Sequence, residues 1–400
     1  MQLNLLDMLS AFSYCLDAIE QSVAGRSDEH GLRVAFLTER MAKAAGISGD
    51  ALLTLTGCAI LHDNALYQYM SARKAVEEGK EDKHSSSIRD HCILGEEQLK
   101  YIPFPSDSST IILYHHERAD GKGPFGKKEG EFRLGSALIH LADNLDIHFP
   151  LQNMTGETYQ KVSDYVDKNK GTEFCRQAAD LFHKALSIDT FHKADRMGLK
   201  SSIFQDVPCT MTDFSEAEIR GLAGFMTRII DYKSSFTSDH SKGVAEKAER
   251  MARFYGWPEE KVLRFFFAGA LHDIGKIFIS HDILEKPGKL ESKEFDQMKN
   301  HAAGTLHVLS QIRGLEDITE WASNHHEKLD GQGYPRGLTA DQLTFEDRLM
   351  ACVDIYQALS EKRPYKEGLP HNVVIKIMRN MASMNKIDGR IVEDMDKALA

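Results

Sequence analysis

Apolar residues recur at i, i+3, i+4 and i+7 along LRVAFLTERMAKAAG (32–46) and again along GVAEKAERMARFYG (243–256), and both stretches end on glycine. That is the period of an amphipathic helix, stopped by a residue that turns left-handed at little cost. Residues 3–24 and 215–234 carry the same period and are expected to be the helices that enter each stretch. Long alternating runs rich in β-branched residues are missing, so the expected fold class is all-α. The join between two helical domains is expected near 200–214, where FQDVPCTMTD carries a proline and a helix-start candidate, Asp213. This divides the chain into residues 1–205 and 206–400. Residues 155–196 have no counterpart within the repeat of histidines and aspartates and are expected to be extra helices that finish the first domain and connect it to the second.

The polar positions repeat as well. The second half carries His240, His272-Asp273, His301, His325-His326 and Asp354. Subtracting 210 from the histidine positions and from 273 gives His30, His62-Asp63, His91 and His115-His116, all present, and the last aspartate falls one place early at Asp143. The histidine spacings 32, 29 and 24 are the same in both halves, and ten of the eighteen histidines belong to the pattern. HHEKLDGQG (325–333) and HHERADGKG (115–123) share six of nine positions, which points to an internal duplication.

Five histidines and two aspartates per half offer imidazole nitrogen and carboxylate oxygen, donors that suit iron, manganese, zinc or nickel. Seven ligands are too many for one tetrahedral site with an open position. They are enough for two ions with room for water, the arrangement that activates water and clamps a phosphoryl group. Asp273, beside His272, is suited to bridge both ions, because one carboxylate has two oxygens.

Composition narrows the partners. Hydrophobic residues make up 42% and charged residues 27%, the proportions of a globular protein. No apolar run reaches the ~18–20 residues of a membrane span. The start, MQLNLLDMLSAFSYCLDAIEQ, reads as an amphipathic helix rather than a signal peptide. Six scattered cysteines with no C-x-x-C fit a reducing compartment, so a cytoplasmic location is expected. The net charge of −11 disfavours a DNA or RNA polymer as partner. A small anionic substrate would need a metal or a local basic patch. Assembly as a homodimer stays open.

GALHDIGKIFISHDILEKPGKL (269–290), MKNHAAG (298–304), NHHEKLDGQGYPRGL (324–338) and ACVDIYQALSEKRPYKEG (351–368) resemble the HD-GYP domain, a subclass of the HD phosphohydrolases. The resemblance spans roughly residues 236–370. It implies a helical bundle with two or three metals, usually iron or manganese. It also implies phosphodiesterase action on a cyclic dinucleotide, cyclic di-GMP or 3′3′-cyclic GMP–AMP, with linear dinucleotide as product. By the same resemblance, His240, His272, Asp273, His301, His325, His326 and Asp354 are the metal ligands. Asp273 and Lys276 are the catalytic pair, with the Lys276 charge near the substrate phosphate. Tyr334, in Gly333-Tyr334-Pro335, borders the pocket, and Arg363 and Lys366 approach the substrate; Arg336 is a further candidate there. Some members hold a third metal with a glutamate four residues before the first histidine. That place is Phe236, which favours two metals and a linear dinucleotide over mononucleotides. His281 and His307 fall outside the pattern and are expected in a loop and on a helix surface.

The first half keeps His30, His62, Asp63, His91, His115, His116 and Asp143 as a second candidate metal set but changes their surroundings. HDIGK becomes HDNAL, with Leu66 in place of Lys276, and GYP becomes Gly123-Pro124-Phe125. SARKAVEEGK (71–80) stands where the other half has ILEKPGKL, and RPYK has no match. This half resembles a general HD domain. It is expected to be a regulatory or structural unit, a second hydrolase acting on a linear dinucleotide or mononucleotide, or a metal-based sensor. For the whole chain, the alternative to an enzyme is a cyclic-dinucleotide receptor without turnover.

Overall fold

The computed structural model describes residues 1–400 except 25–28, 67, 71–86, 234–237, 287 and 363–366. The chain forms two compact units, Leu5–Met211 and Thr212–Ala400, and Met1–Asn4 belongs with the second. Among the described residues the only sheet is a two-stranded ribbon of β1 (Gln2–Asn4) and β2 (Met211–Asp213). Everything else regular is helical, as the sequence pattern requires.

The first unit contains α1 (Leu5–Ala24), α2 (His30–Ala44), α3 (Gly49–Ile60), α4 (Ile88–Leu99), α5 (Leu134–His148), α6 (Gly156–Asn169), α7 (Arg176–Ala185), α8 (Ile188–Met197) and α9 (Leu199–Phe204). Helix α2 lies at its centre, packed on α1, α3, α5, α7 and α9. Its Val34, Leu37 and Met41 are at most 1% exposed. The second unit contains α10 (Glu216–Lys233), α11 (Ser238–Phe254), α12 (Glu259–Leu271), a 3-10 turn (Ile274–Phe278), α13 (His281–Leu284), α14 (Ser292–Leu309), α15 (Glu316–Ser323), α16 (Phe345–Ser360), α17 (His371–Ser383) and α18 (Gly389–Ala398). Here α11 is central, against α10, α12, α16 and α18.

The helix ends predicted from glycine are built alike. Gly46 N donates to Lys43 O and Ile47 N to Ala42 O; Gly256 N donates to Arg253 O and Trp257 N to Ala252 O. Both glycines have positive φ, +88° and +66°, so each closes its helix with the paired bonds of a left-handed cap. Asp213, by contrast, sits in β2 and does not start a helix. Ser215 takes that role. Its N and Oγ donate to Glu218 Oε2 at 2.7 and 2.6 Å, and Glu218 N donates back to Ser215 Oγ, so the Ser-x-x-Glu capping box outcompetes the aspartate.

Residues 155–196 differ from expectation: α6 and α7 do have a counterpart. Helix α7 packs on α2 and α5 as α18 packs on α11 and α16. Ala119 N donates to Glu173 O, and Leu329 N donates to Lys386 O, both at 3.2 Å. The turn between α6 and α7 therefore holds the first double-histidine loop as the turn between α17 and α18 holds the second. The duplication extends through this helix pair. It was hidden because no histidine is shared by the two helix pairs and the spacing shifts.

Candidate metal centres and active site

Each ligand-like residue sits where a helix begins, ends or turns inward. In the second unit, His240 lies in the first turn of α11 and His272-Asp273 directly follow α12. His301 lies in α14, His325-His326 follow α15, and Asp354 lies in α16. The first unit repeats this with His30 opening α2, His62-Asp63 after α3, His91 in α4 and Asp143 in α5. Three of the ring separations agree closely, while His62–His115 at 5.8 Å is wider than His272–His325 at 4.8 Å. His30–His62 is 5.1 Å and His240–His272 is 5.3 Å. His91–His115 is 5.3 Å and His301–His325 is 5.4 Å. His115–His116 is 3.9 Å and His325–His326 is 4.0 Å.

The two oxygens of Asp273 face different groups. Oδ2 lies 3.2 Å from His272 Nε2 and 3.9 Å from His240 Nε2. Oδ1 lies 3.5 Å from His301 Nε2 and 3.9 Å from His325 Nε2. Asp354 Oδ1 is 3.0 Å from His240 Nε2, and its Oδ2 is 3.8 Å from His326 Nδ1. In the first unit, Asp63 Oδ1 meets His91 Nε2 at 3.1 Å while Oδ2 faces His62 at 3.7 Å and His30 at 3.9 Å. Both units thus present two adjoining groups of donors joined by one carboxylate.

Local bonds aim the rings. Nδ1 of His272, His301 and His325 contacts the carbonyl three residues earlier, at 2.8, 2.6 and 2.6 Å. His62 and His115 do the same at 2.9 and 2.5 Å. With the proton on Nδ1, the Nε2 lone pair points into the cluster. Nε2 of His62, His91, His115 and His272 and Oδ1 of Asp143 are buried without a hydrogen-bond partner. Such orphaned acceptors cost free energy unless something binds them. The donor set fits a divalent metal.

The electrostatics agree. Burial pushes His326 and His116 down to about 3, against the pull of the nearby aspartates. His325 and His115 are held well below their ordinary value by burial and by neighbouring histidines. These rings stay neutral and able to ligate. Burial acts to raise Asp273, but its interactions with neighbouring His272 and Lys276 prevail and hold it well below the carboxylate range. Burial likewise opposes His240, yet hydrogen bonds to Asp354 and Glu361 raise it to about 9.

Around the clusters the units diverge. Lys276 Nζ donates to Asp273 Oδ2 at 2.6 Å, whereas Leu66 is a buried apolar side chain. The turn carrying Lys276 lies against α14: a Cβ on Gly275 would be 1.9 Å from His301 O, and one on Gly304 would be 3.2 Å from Gly275 Cα. Thr305 Oγ1 accepts from Gly275 N and donates to His272 O. Ala65, Leu94 and Gly95 stand at these places in the first unit, where Asn64 Nδ2 donates to Gly95 O instead.

The double-histidine loops share a frame. Glu327 accepts from the backbone N–H of Arg336, Gly337 and Leu338, and Glu117 from those of Phe125 and Lys127. Gly333 and Gly123 lie so close behind these glutamates that a Cβ would be 2.4 Å from Glu327 Cα and 2.7 Å from Glu117 Cα. The aromatic residue differs. The Tyr334 ring lies 4.7 Å from His326 and 6.2 Å from His301. Phe125 packs on Tyr114 at 5.5 Å, under Arg89.

The Arg336 guanidinium donates to Glu320 and to Asn324 Oδ1. Arg363, Lys366, Phe236 and residues 71–80 lie outside the described residues. His281 opens the short α13 rather than a loop, and His307 is exposed on α14. The sequence reading missed the framing glutamates Glu117 and Glu327, although both stand in the repeated HHE. It also missed Asp146 and Glu361, which contact Nδ1 of His30 and His240 at 2.7 and 2.8 Å.

The HD domain family matches residues 27–147 and, in a second form, residues 224–391. A 3′3′-cGAMP-specific phosphodiesterase of Vibrio cholerae is 29% identical over 392 residues, covering 95% of this chain and 89% of the relative. A cyclic di-GMP phosphodiesterase response regulator of Xanthomonas campestris pv. campestris is 36% identical over 169 residues, 42% of this chain and 44% of the relative. A crystal structure of a cyclic GMP–AMP-specific phosphodiesterase from V. cholerae matches with a TM-score of 0.67 over 100% of this chain and 98% of that one, at 20% identity, and so shares its fold. Among the described residues, no helix is long and apolar enough to cross a membrane. The chain thus carries two HD domains in tandem, with the HD-GYP signature in the second.

Proposed function

We propose that the second unit is a metal-dependent phosphodiesterase that opens a cyclic dinucleotide to its linear form. The observation that carries this reading is Asp273. Its two oxygens serve two groups of histidines, and Lys276 sits on the same carboxylate. His240, His272 and Asp354 would hold one divalent ion and His301, His325 and His326 the other, with iron or manganese the first choice and zinc or nickel also suited to the donors. When bound, the ions supply Lewis acidity that activates water and stabilises charge on the phosphoryl group.

The chain's own residues do the rest. His301 and His325, held neutral by burial, keep their Nε2 lone pairs inward. Lys276 places a cation beside the bridging carboxylate, where it balances negative charge that develops on phosphoryl oxygens. Burial and the nearby Asp354 and Asp273 raise the Tyr334 phenol above its usual range. Its hydroxyl therefore stays protonated and can donate to the substrate. Arg363 and Lys366 follow Asp354 closely in sequence and supply the remaining basic charge for the two phosphates.

The relative that matches nearly the whole chain is named for cyclic GMP–AMP, which makes that compound the first substrate to test, with cyclic di-GMP second. The experiment loads the protein with Mn²⁺ or Fe²⁺ under reducing conditions, adds each compound separately, and follows linear product by chromatography. Product with either, lost in Asp273→Ala, supports the reading. Binding without turnover in both metals would leave a receptor instead.

A second reading concerns the first unit. Its seven candidate ligands meet, and three of its inward nitrogens have no partner. That favours a metal-holding domain acting on the linear product over a purely structural one. Asp63→Ala should then keep ring opening but let linear dinucleotide accumulate; an unchanged product profile sinks this second activity.

A further inference from the structure

The two units brace the first histidine of the cluster by different residues. In the first, Asp146 does so from three residues beyond Asp143, on α5, with Oδ2 2.7 Å from His30 Nδ1. Buried Arg33 holds that aspartate through Nε at 2.5 Å and Nη2 at 2.9 Å. In the second unit, the residue three beyond Asp354 is Gln357, and the residue three beyond His240 is Gly243 where the first unit has Arg33. Both members of the Asp–Arg pair are absent together.

His240 still has a carboxylate at Nδ1. It belongs to Glu361, one helical turn further on, 2.8 Å away and 7% exposed. Gln357 Nε2 donates to Glu361 Oε2 at 2.9 Å, and Lys247 Nζ donates to Gln357 Oε1 at 2.5 Å. A Cβ on Gly243 would lie 2.2 Å from Gln357 Nε2, so the lost side chain is the space the amide occupies. The substitutions at 243, 357 and 361 are one coordinated exchange.

We propose that Glu361 is a positioning residue that replaces the helix-borne aspartate and ties His240 to the segment after α16. Glu361 is the first residue past that helix, its N–H donating to Gln357 O at 3.0 Å. The segment's base is closed: Leu369 N donates to Leu359 O at 3.0 Å, and a Cβ on Gly368 would lie 2.1 Å from Ser360 O. Arg363 and Lys366 lie within it. A carboxylate on the outer nitrogen fixes a ligand histidine's tautomer and orientation and strengthens its donor nitrogen. Borne at the end of the helix, it also sets where the chain with the substrate cations departs. In the first unit the brace stays inside α5 and makes no such link.

The inference rests on the metal centre proposed above, and its first readout needs no hydrolysis. In the full chain carrying Asp63→Ala, so that only the second centre is read, Mn²⁺ binding is measured by calorimetry. Glu361→Ala should weaken it about 10–100-fold, the usual cost of losing such a partner. Glu361→Gln, which keeps shape and an acceptor, should lose less. The double variant Glu361→Ala/Gln357→Asp returns the brace to its first-unit position and should recover most of the Mn²⁺ affinity. Glu361→Ala should also raise KM for the cyclic dinucleotide, and the double variant should leave it raised, because Asp at 357 lies within the helix. Wild-type Mn²⁺ affinity in both single variants, or a double variant no better than Glu361→Ala, overturns the brace. Recovery of KM in the double variant overturns the link to the segment. Absence of turnover in the parent, with the Mn²⁺ pattern intact, would reject the enzyme reading and leave the brace standing.

Discussion

The two units hold the same seven side chains in nearly the same geometry and differ in what stands beside them. Equivalent ring separations in the two clusters agree to within about 1 Å, the largest difference being His62–His115 at 5.8 Å against His272–His325 at 4.8 Å, and each cluster has an aspartate turned to both sides. Beside that aspartate the second unit has an ammonium and the first a leucine. Over the double histidine the second places a tyrosine, whereas the first turns its phenylalanine onto Tyr114. On the proposed function, keeping metal donors and keeping substrate contacts are separable demands. Donors are constrained by burial, since an unpaired buried carboxylate or imidazole destabilises the fold. Contacts to a substrate carry no such penalty when lost.

The comparison is broken most directly at the bridging aspartates. Asp273→Ala should lower cyclic-dinucleotide turnover by about 10³-fold or more, at or beyond the upper end for losing one electrostatic stabiliser. Asp63→Ala should leave that step near wild type; equal losses in the two variants would mean that the units do not divide the chemistry. Next comes Lys276→Leu, which gives the second unit the first unit's residue. We expect kcat to drop by about 10²-fold with Mn²⁺ stoichiometry unchanged. Loss of metal along with rate would make Lys276 a structural partner of Asp273.

Acidification should treat the units alike. Burial takes His326 and His116 from an ordinary 6.5 to about 3. Below pH 6.5 the unfolded chain protonates these sites while the folded chain does not. Their contribution is thus fully present above 6.5 and is lost as pH falls toward 3. Metal-free protein should show both units losing thermal stability across that window, and a fall confined to one unit would count against equal burial of the clusters. Gly333→Ala and Gly123→Ala should each destabilise their own unit by about 1–3 kcal/mol, the range for an overpacked site, because Cβ meets the backbone of the framing glutamate. Paired denaturation curves would show it. The smallest effect is expected at Arg336→Ala. That side chain is one-third exposed and paired with Glu320, so stability should change by about 0–1 kcal/mol and KM hardly at all.

The sequence made the helical period, the duplication and the seven-residue pattern legible, because histidines are rare enough to act as markers. It concealed the match of α6–α7 to α17–α18, where ordinary amphipathic helices share no marker residue and the spacing drifts. It concealed the brace on His240, because the carboxylate had moved a full turn and its old place held an amide. Arg336 looked like a substrate contact beside Gly333-Tyr334-Pro335, yet Glu320 and Asn324 from the preceding helix turn claim its donors.

The contact between Gly275 and Gly304 bears on how these copies drifted apart. With His301 O only 1.9 Å from where a Cβ would stand, the backbone of the lysine-bearing turn has no tolerance for even a methyl group. The first copy has Ala65 and Leu94 at those two places, and Gly95 where the second has Thr305. Restoring a lysine at Leu66 alone would put the right charge on a turn held at the wrong distance from its helix. At least three neighbouring changes would have to accompany it, each of little use without the others. The divergence behaves as a ratchet, in which the lysine-bearing arrangement of one copy is not reachable from the other one mutation at a time.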